Sequence, residues 1–220
     1  MIVVQCQQGS EEWHQARCGA ITASMFATAR SRLKTGPSKG DFTAAAKDYA
    51  FRVAVERISG EPLDEGFETW QMQRGHELEP EARMEHELQS GLIITRAGYV
   101  STDDGRFGGS ADGLIGEDGG SEYKCLVSPT RLRQVLVGDD LSEFIDQVQG
   151  CLWLTGRKFW HFCLFCPALA PIGKQLYWRE IRRDDAYIEA LEGDLVGFEA
   201  LVSDYERRLR ADRPVLAEAA

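Results

Sequence analysis

The stretch GLIITRAGYVSTDDGRFGGSADGLIGEDGGSEYKCLV, residues 91–127, constrains the fold more than any other part of the chain. It is rich in β-branched residues and broken at Asp104-Gly105, Asp112-Gly113 and Gly119-Gly120, a pattern that predicts three or four short strands. Helical patterns flank it. DFTAAAKDYAFRVAVERISGEP starts at a cap, Asp41 or Thr43, carries Ala44, Phe51, Ala54 and Ile58 as a helical stripe, and stops at Gly60 and Pro62. A second helix is predicted over residues 69–89, starting at Thr69 and closing at Ser90-Gly91, with Pro80 marking a fresh start or a kink. Beyond the β-rich stretch, Leu141, Phe144, Ile145, Val148 and Leu152 recur at helical spacing up to Gly156. Strands are expected over residues 159–166 and 174–181, then a long charged helix over 184–210. This order of elements predicts an α/β or α+β core.

Nothing in the 220 residues reads as an internal repeat or a linker, and a 43% hydrophobic content supports a substantial core, so one domain over residues 1–220 is expected. A net charge of −10 argues against a protein that coats nucleic acid non-specifically, yet leaves room for a locally basic site. Six cysteines, at positions 6, 18, 125, 151, 163 and 166, lack the dense spacing of a secreted disulfide scaffold. MIVVQCQQGSEEW has neither the basic leader nor the apolar run of a signal peptide, so a reduced, cytoplasmic setting is expected. The longest apolar run, residues 159–172, is interrupted by His161 and two prolines and reads as a buried strand, with no membrane role.

Within the β-rich stretch the order of charges is informative. Glu122 and Lys124 share one face of a strand while Tyr123 and Cys125 point the other way. Asp112 reaches the same face if the flanking strands pair across IGEDGGS. Two carboxylates and an amine then converge. Mg²⁺ takes oxygen ligands, so such a pair with a backbone carbonyl and a substrate phosphate makes a coordination shell. A nearby ammonium offsets the charge that builds on an attacked phosphorus. By itself D-x9-E-x-K is a weak motif, because such loosely spaced charges recur in ordinary hairpins.

Four further segments add context: EEWHQARCGAITAS at 11–24, RGHELEPEAR at 74–83, GGSADGL at 108–114 and DQVQGCLWLTG at 146–156. Together with EYKC at 122–125 they make the chain resemble the phage lambda exonuclease family, the YqaJ-like viral recombinases, within the PD-(D/E)xK nucleases. The family's S-P-D reads Ser110-Ala111-Asp112 here. The resemblance implies a restriction-endonuclease-like core with a central mixed sheet flanked by helices. It implies Asp112, Glu122 and the Tyr123 carbonyl as ligands of Mg²⁺, for which Mn²⁺ substitutes. It implies Glu79 as an additional acid holding the metal directly or through a water, with Glu77 as its nearest rival. Lys124 then stabilises the nucleophile and transition state, Gln147 lines the site, and Arg17, Ser24 and Ser110 bind a 5′-terminal phosphate. The implied activity is 5′→3′ digestion of one strand of duplex DNA, leaving a 3′ overhang for strand annealing, by a homotrimeric ring working with a single-strand annealing protein.

Charge segregation points the same way: from Trp13 to Gly40 there is no acid, while Arg17, Arg30, Arg32, Lys34 and Lys39 are basic. Such a strip suits phosphate contacts, and GAITAS is expected to begin a helix whose N-terminus adds an anion site. Cys163 and Cys166, with no second pair, read as core, as do Trp153 and Trp160. His14, His76, His86 and His161 show no ligand spacing, and no Gly-Lys-Ser/Thr follows FGGSADG. An endonuclease on the same fold and a non-catalytic DNA-end-binding protein remain as alternatives.

Overall fold

The computed structural model describes residues 1–63 and 70–211. Two mixed β-sheets meet on the larger of two apolar cores. The first runs β1 (Ile2–Val4), β4 (Tyr99–Ser101), β5 (Phe107–Ser110), β2 (Ile21–Thr22), antiparallel except where β2 meets β5. The second runs β3 (Ile94–Thr95), β6 (Gly113–Ile115), β7 (Gly119–Lys124), β8 (Phe159–Phe165), β9 (Leu176–Arg182), antiparallel except for β7 with β8. Parallel neighbours need a crossover. Helices α5 (Pro129–Leu136) and α6 (Ile145–Thr155) lie between β7 and β8 in the chain and supply it. Helix α5 lies outside the elements expected from the sequence, although Ser128-Pro129 is a helix-start signal.

Residues 91–127 thus yield five strands in place of three or four, divided between the sheets. Gly119-Gly120 is not a break. The turn falls on residues 116–118, and the two glycines open β7 beneath β8. A Cβ on Gly120 would lie 2.3 Å from the Trp160 ring, so the missing side chain is a packing requirement.

Helix α1 (Glu11–Arg17) is capped by Ser10, whose hydroxyl accepts from the Trp13 N–H. GAITAS does not begin a long helix. It is β2, a single 3₁₀ turn over Ala23–Met25, then the four-residue α2 (Phe26–Ala29). Ile21 is fully buried opposite Phe107, and burial in the sheet overrides helix formation there.

Helix α3 (Ala44–Ser59) is capped by Thr43 and ended by Gly60 at φ +73°. Its buried stripe is Ala46, Tyr49, Ala50, Val53 and Ala54, while Phe51 and Ile58 are exposed. The small residues let α3 lie along α7 (Asp185–Arg210), and Phe51 packs edge-on against Tyr205. Helix α4 (Trp70–Ser90) passes through Pro80 as one element; its expected first residue, Thr69, lies outside the described residues.

Side chains of β8 alternate between two cores. Trp160, Phe162 and Leu164 join the main cluster with residues of α3, α6 and α7; Cys163 and Phe165 join a smaller one with Tyr123 and Ala82 of α4. Glu122 and Lys124 pair in register with Phe162 and Leu164, and so lie on the α6 side. None of the six cysteines is in a disulfide, and no helix among the described residues is long and apolar enough to cross a membrane.

Candidate active site

Arg17, Ser24, Glu79, Ser110, Asp112, Glu122, Tyr123, Lys124 and Gln147 all line one cleft of about 240 Å³. It shares residues with a wider cleft of about 880 Å³ lined also by Gln5, Gln7, Arg83 and Arg96.

The acidic end is built on the β6–β7 hairpin. The Asp112 N–H donates to the Ser121 carbonyl at 3.1 Å, extending the pairing by one residue and bringing its carboxylate beside Glu122. Asp112 Oδ2 accepts the Tyr123 N–H at 2.7 Å. Glu122 is buried, and its Oε1 accepts from Lys124 Nζ at 2.7 Å and Gln147 Nε2 at 2.6 Å. Lys124 Nζ also donates to Gln147 Oε1 at 3.0 Å, so the amide in the first turn of α6 bridges acid and amine. Glu79 enters from α4; Arg83, one turn on, donates to it and to the Asp112 carbonyl. Glu77 is exposed and accepts from Gln73, away from the cleft.

These groups perturb one another strongly. Burial, with Glu79 nearby, pushes Asp112 up to about 6, and burial with Asp112 pushes Glu122 up to about 7. Burial works against the Lys124 charge, but Glu122 and Asp112 outweigh it and raise its pKa. Glu122 Oε2 is buried with no partner among the described residues. Among them, no three His, Cys, Asp or Glu side chains enclose a metal-sized point. A buried carboxylate oxygen of Glu122 without a partner, with Asp112 and a backbone carbonyl beside it, nonetheless fits a hard divalent cation that completes its shell from water and substrate.

The opposite end holds cationic and hydroxyl groups. The Arg17 guanidinium stacks on Trp13, 4.1 Å from the ring centre, and donates to Thr22 Oγ1 at 3.4 Å. Trp13 Nε1 donates to Ser110 Oγ at 2.8 Å, and Thr22 Oγ1 lies 3.4 Å from Ser24 Oγ. Burial lowers the Arg17 pKa, and among the described residues no carboxylate hydrogen-bonds to it. Gly19 anchors the segment between α1 and β2: its N–H donates to Glu56 and its carbonyl accepts from Arg57 Nε at 2.7 Å. Sequence reasoning missed Trp13, although Trp13 and Arg17 stand four apart on one helix face. Ser110, Ala111 and Asp112 join the two ends through three consecutive residues.

The rest of the basic strip divides. Arg30 is tied to Asp146 at 2.7 Å and to Asp194, fastening α6 to α7, and Arg32 stacks on Phe42. Both are thereby committed within the fold, while Lys34 and Lys39 are exposed. No helix of adequate length follows GAITAS, so the expected dipole contribution to an anion site is withdrawn. Cys163 and Trp160 are core, and Trp153 packs on Phe26 and Phe107.

Two histidines without ligand spacing meet behind the site. His86 Nδ1 lies 3.0 Å from the Tyr123 hydroxyl, His86 Nε2 lies 2.9 Å from His161 Nδ1, and His161 Nε2 faces Glu180 at 3.7 Å. Burial and the neighbouring imidazole push His86 down to about 4, and burial lowers His161. A neutral imidazole has one donor and one acceptor, and Glu180 as a carboxylate only accepts. The chain therefore runs from the Tyr123 hydroxyl to His86, then His161, then Glu180.

Residues 12–158 match the model of the YqaJ-like viral recombinase domain. A structure of LHK-Exo in complex with dAMP is 32% identical, with a TM-score of 0.79 over 91% of this chain and 96% of that one. A structure of the alkaline exonuclease LHK-Exo from Laribacter hongkongensis gives 0.77 at the same identity and coverage. A phage-related exonuclease from Haemophilus somnus 129PT, 17% identical, shares the fold with a TM-score of 0.62 over 86% of this chain and 94% of that one. No curated protein matches the sequence.

Proposed function

Because the chain belongs to the YqaJ-like viral recombinase family, a group with the restriction-endonuclease-like PD-(D/E)xK core, we propose that it is a Mg²⁺-dependent 5′→3′ exonuclease of linear duplex DNA, with Mn²⁺ able to substitute. On this reading residues 1–220 form one exonuclease domain that removes one strand and leaves a 3′ overhang for strand annealing. It works in the cytoplasm as a homotrimeric ring and hands its product to an annealing protein.

The observation that carries the reading is an arginine that, among the described residues, has no carboxylate hydrogen-bonded to it, in the same cleft as two carboxylates of raised pKa. Half-buried Arg30 and Arg57 each have acids against them. Arg17 leaves its charge for a ligand. A terminal phosphomonoester carries about −1.5 to −2 charge near pH 7, more than an internal diester, and Arg17, Ser24 and Ser110 together favour it.

A divalent cation held by Asp112, Glu122 and the Tyr123 carbonyl, with Glu79 directly or through a water, supplies Lewis acidity toward the scissile phosphate. The protein's own groups do the rest. Lys124, kept charged by Glu122 and Asp112, hydrogen-bonds the attacking water and the phosphate oxygen on which charge builds. Gln147 orients both Lys124 and Glu122. Arg17 and the two hydroxyls set which phosphodiester lies over the carboxylates.

The test compares end-labelled linear DNA bearing a 5′-phosphate or a 5′-hydroxyl with closed circular DNA, all in Mg²⁺. Linear phosphorylated DNA is digested fastest and the circle survives. Arg17→Ala slows digestion of phosphorylated ends by about ten- to hundredfold, the worth of hydrogen bonds to a charged group. Cutting of the closed circle, or equal loss on both linear substrates, refutes the end-reading assignment.

A further inference from the structure

Of the buried side-chain polar atoms without a partner among the described residues, two belong to residues lining the smaller cleft: Glu122 Oε2 and the Tyr99 hydroxyl. The first is an acceptor and lies at the acidic end. The second is a phenol, able to donate.

Tyr99 is 2% exposed and opens β4, directly opposite Ser110 of β5. Its ring lies over Gly108, where a Cβ would come 1.9 Å from the hydroxyl oxygen; the strand gives up a side chain to make room for it. Gly108 pairs in turn with Thr22. The hydroxyl therefore sits where β4, β5 and β2 meet, within electrostatic reach of Arg17 and Tyr49. Tyr49 makes no hydrogen bond to it; the Tyr49 hydroxyl accepts the Thr22 N–H at 2.9 Å. A hydroxyl buried without a partner is costly, and folds seldom keep one without a use.

We propose that Tyr99 is a specificity-determining residue of the terminal-phosphate pocket, its hydroxyl donating to a phosphate oxygen beside Arg17. The inference rests on the reading of Arg17, Ser24 and Ser110 as that pocket.

Tyr99→Phe keeps the ring and removes only the donor. Two measurements test it: the ratio of digestion rates on 5′-phosphorylated and 5′-hydroxyl duplexes, and the ratio of affinities for the same duplexes in EDTA, read by fluorescence anisotropy. Both ratios fall about tenfold. Thermal unfolding separates binding from a structural role: Tyr99→Phe without DNA unfolds at or above the wild-type temperature, because it removes an unsatisfied buried hydroxyl. Wild-type ratios in Tyr99→Phe, or a lowered unfolding temperature, overturn the assignment of Tyr99 while the pocket stands. A wild type that treats both ends alike removes the pocket itself and this inference with it.

Discussion

Asp112 and Glu122 hold protons in the folded chain, without metal, that free carboxylates would have lost. With pKa values raised to about 6 and about 7, they contribute stability present below the ordinary carboxylate range and lost as pH rises through 6 to 7. A divalent cation must displace those protons, so its affinity rises over the same interval. The unfolding-temperature gain on adding Mg²⁺ should be larger at pH 8 than at pH 5.5, and Asp112→Ala should abolish both that difference and cleavage while leaving DNA binding largely intact. Equal gains at the two pH values would show that the pair does not take the metal. At this scale the sequence was informative where chemistry needs a charged residue at fixed parity: Glu122 and Lys124 two apart on a strand, and Asp112 before the hairpin. It was silent where the residue is apolar in outline. Trp13 reads as one more aromatic until its indole N–H is seen on Ser110 with its face under Arg17.

Helix α4 carries Glu79 yet, among the described residues, gives the smaller core only Ala82 and Leu78, while Met84 and Leu88 face solvent. Polar ties hold it: Arg74 to the Cys125 carbonyl, Arg83 to the Asp112 carbonyl, and His86 to Tyr123. His86 lies seven residues beyond Glu79, on the same face. Tyr123→Phe would strand a buried imidazole nitrogen at a cost of about 1–3 kcal/mol, lowering the unfolding temperature by about 2–4 °C per kcal/mol for a chain of this size. It should also weaken Mn²⁺ binding in calorimetric titration, since the helix that presents Glu79 loses its seat. Wild-type affinity with a lowered unfolding temperature would confine the contact to stability. Long helices were legible from periodicity because they pack over many turns. Gly119-Gly120 was misread as a turn because the reason for those glycines, Phe159 and Trp160, lies some forty residues away. GAITAS was misread as a helix because its partner strand β5 decides its conformation.

For the whole molecule, a chain of net charge −10 must present its few uncommitted cations to DNA while keeping its acids elsewhere, which a ring with the clefts facing inward achieves. Sedimentation equilibrium at micromolar concentration should give three times the chain mass; monomer alone would remove the ring. Fold class was legible from the alternation of helical and β-rich stretches. The division into two sheets was not, since it depends on β4 and β5 pairing with β1 and β2 at the start of the chain. That division has a consequence for what leaves the enzyme. Ser110 ends a strand of one sheet and Asp112 stands at the threshold of the other, with only Ala111 between them. Two residues of chain span at most about 7 Å between Cα atoms, the reach of a single sugar–phosphate unit. If Ser110 holds the terminal phosphate and Asp112 the metal, as proposed, the backbone would act as a ruler one nucleotide long, and each turnover should release a mononucleotide, never a dinucleotide.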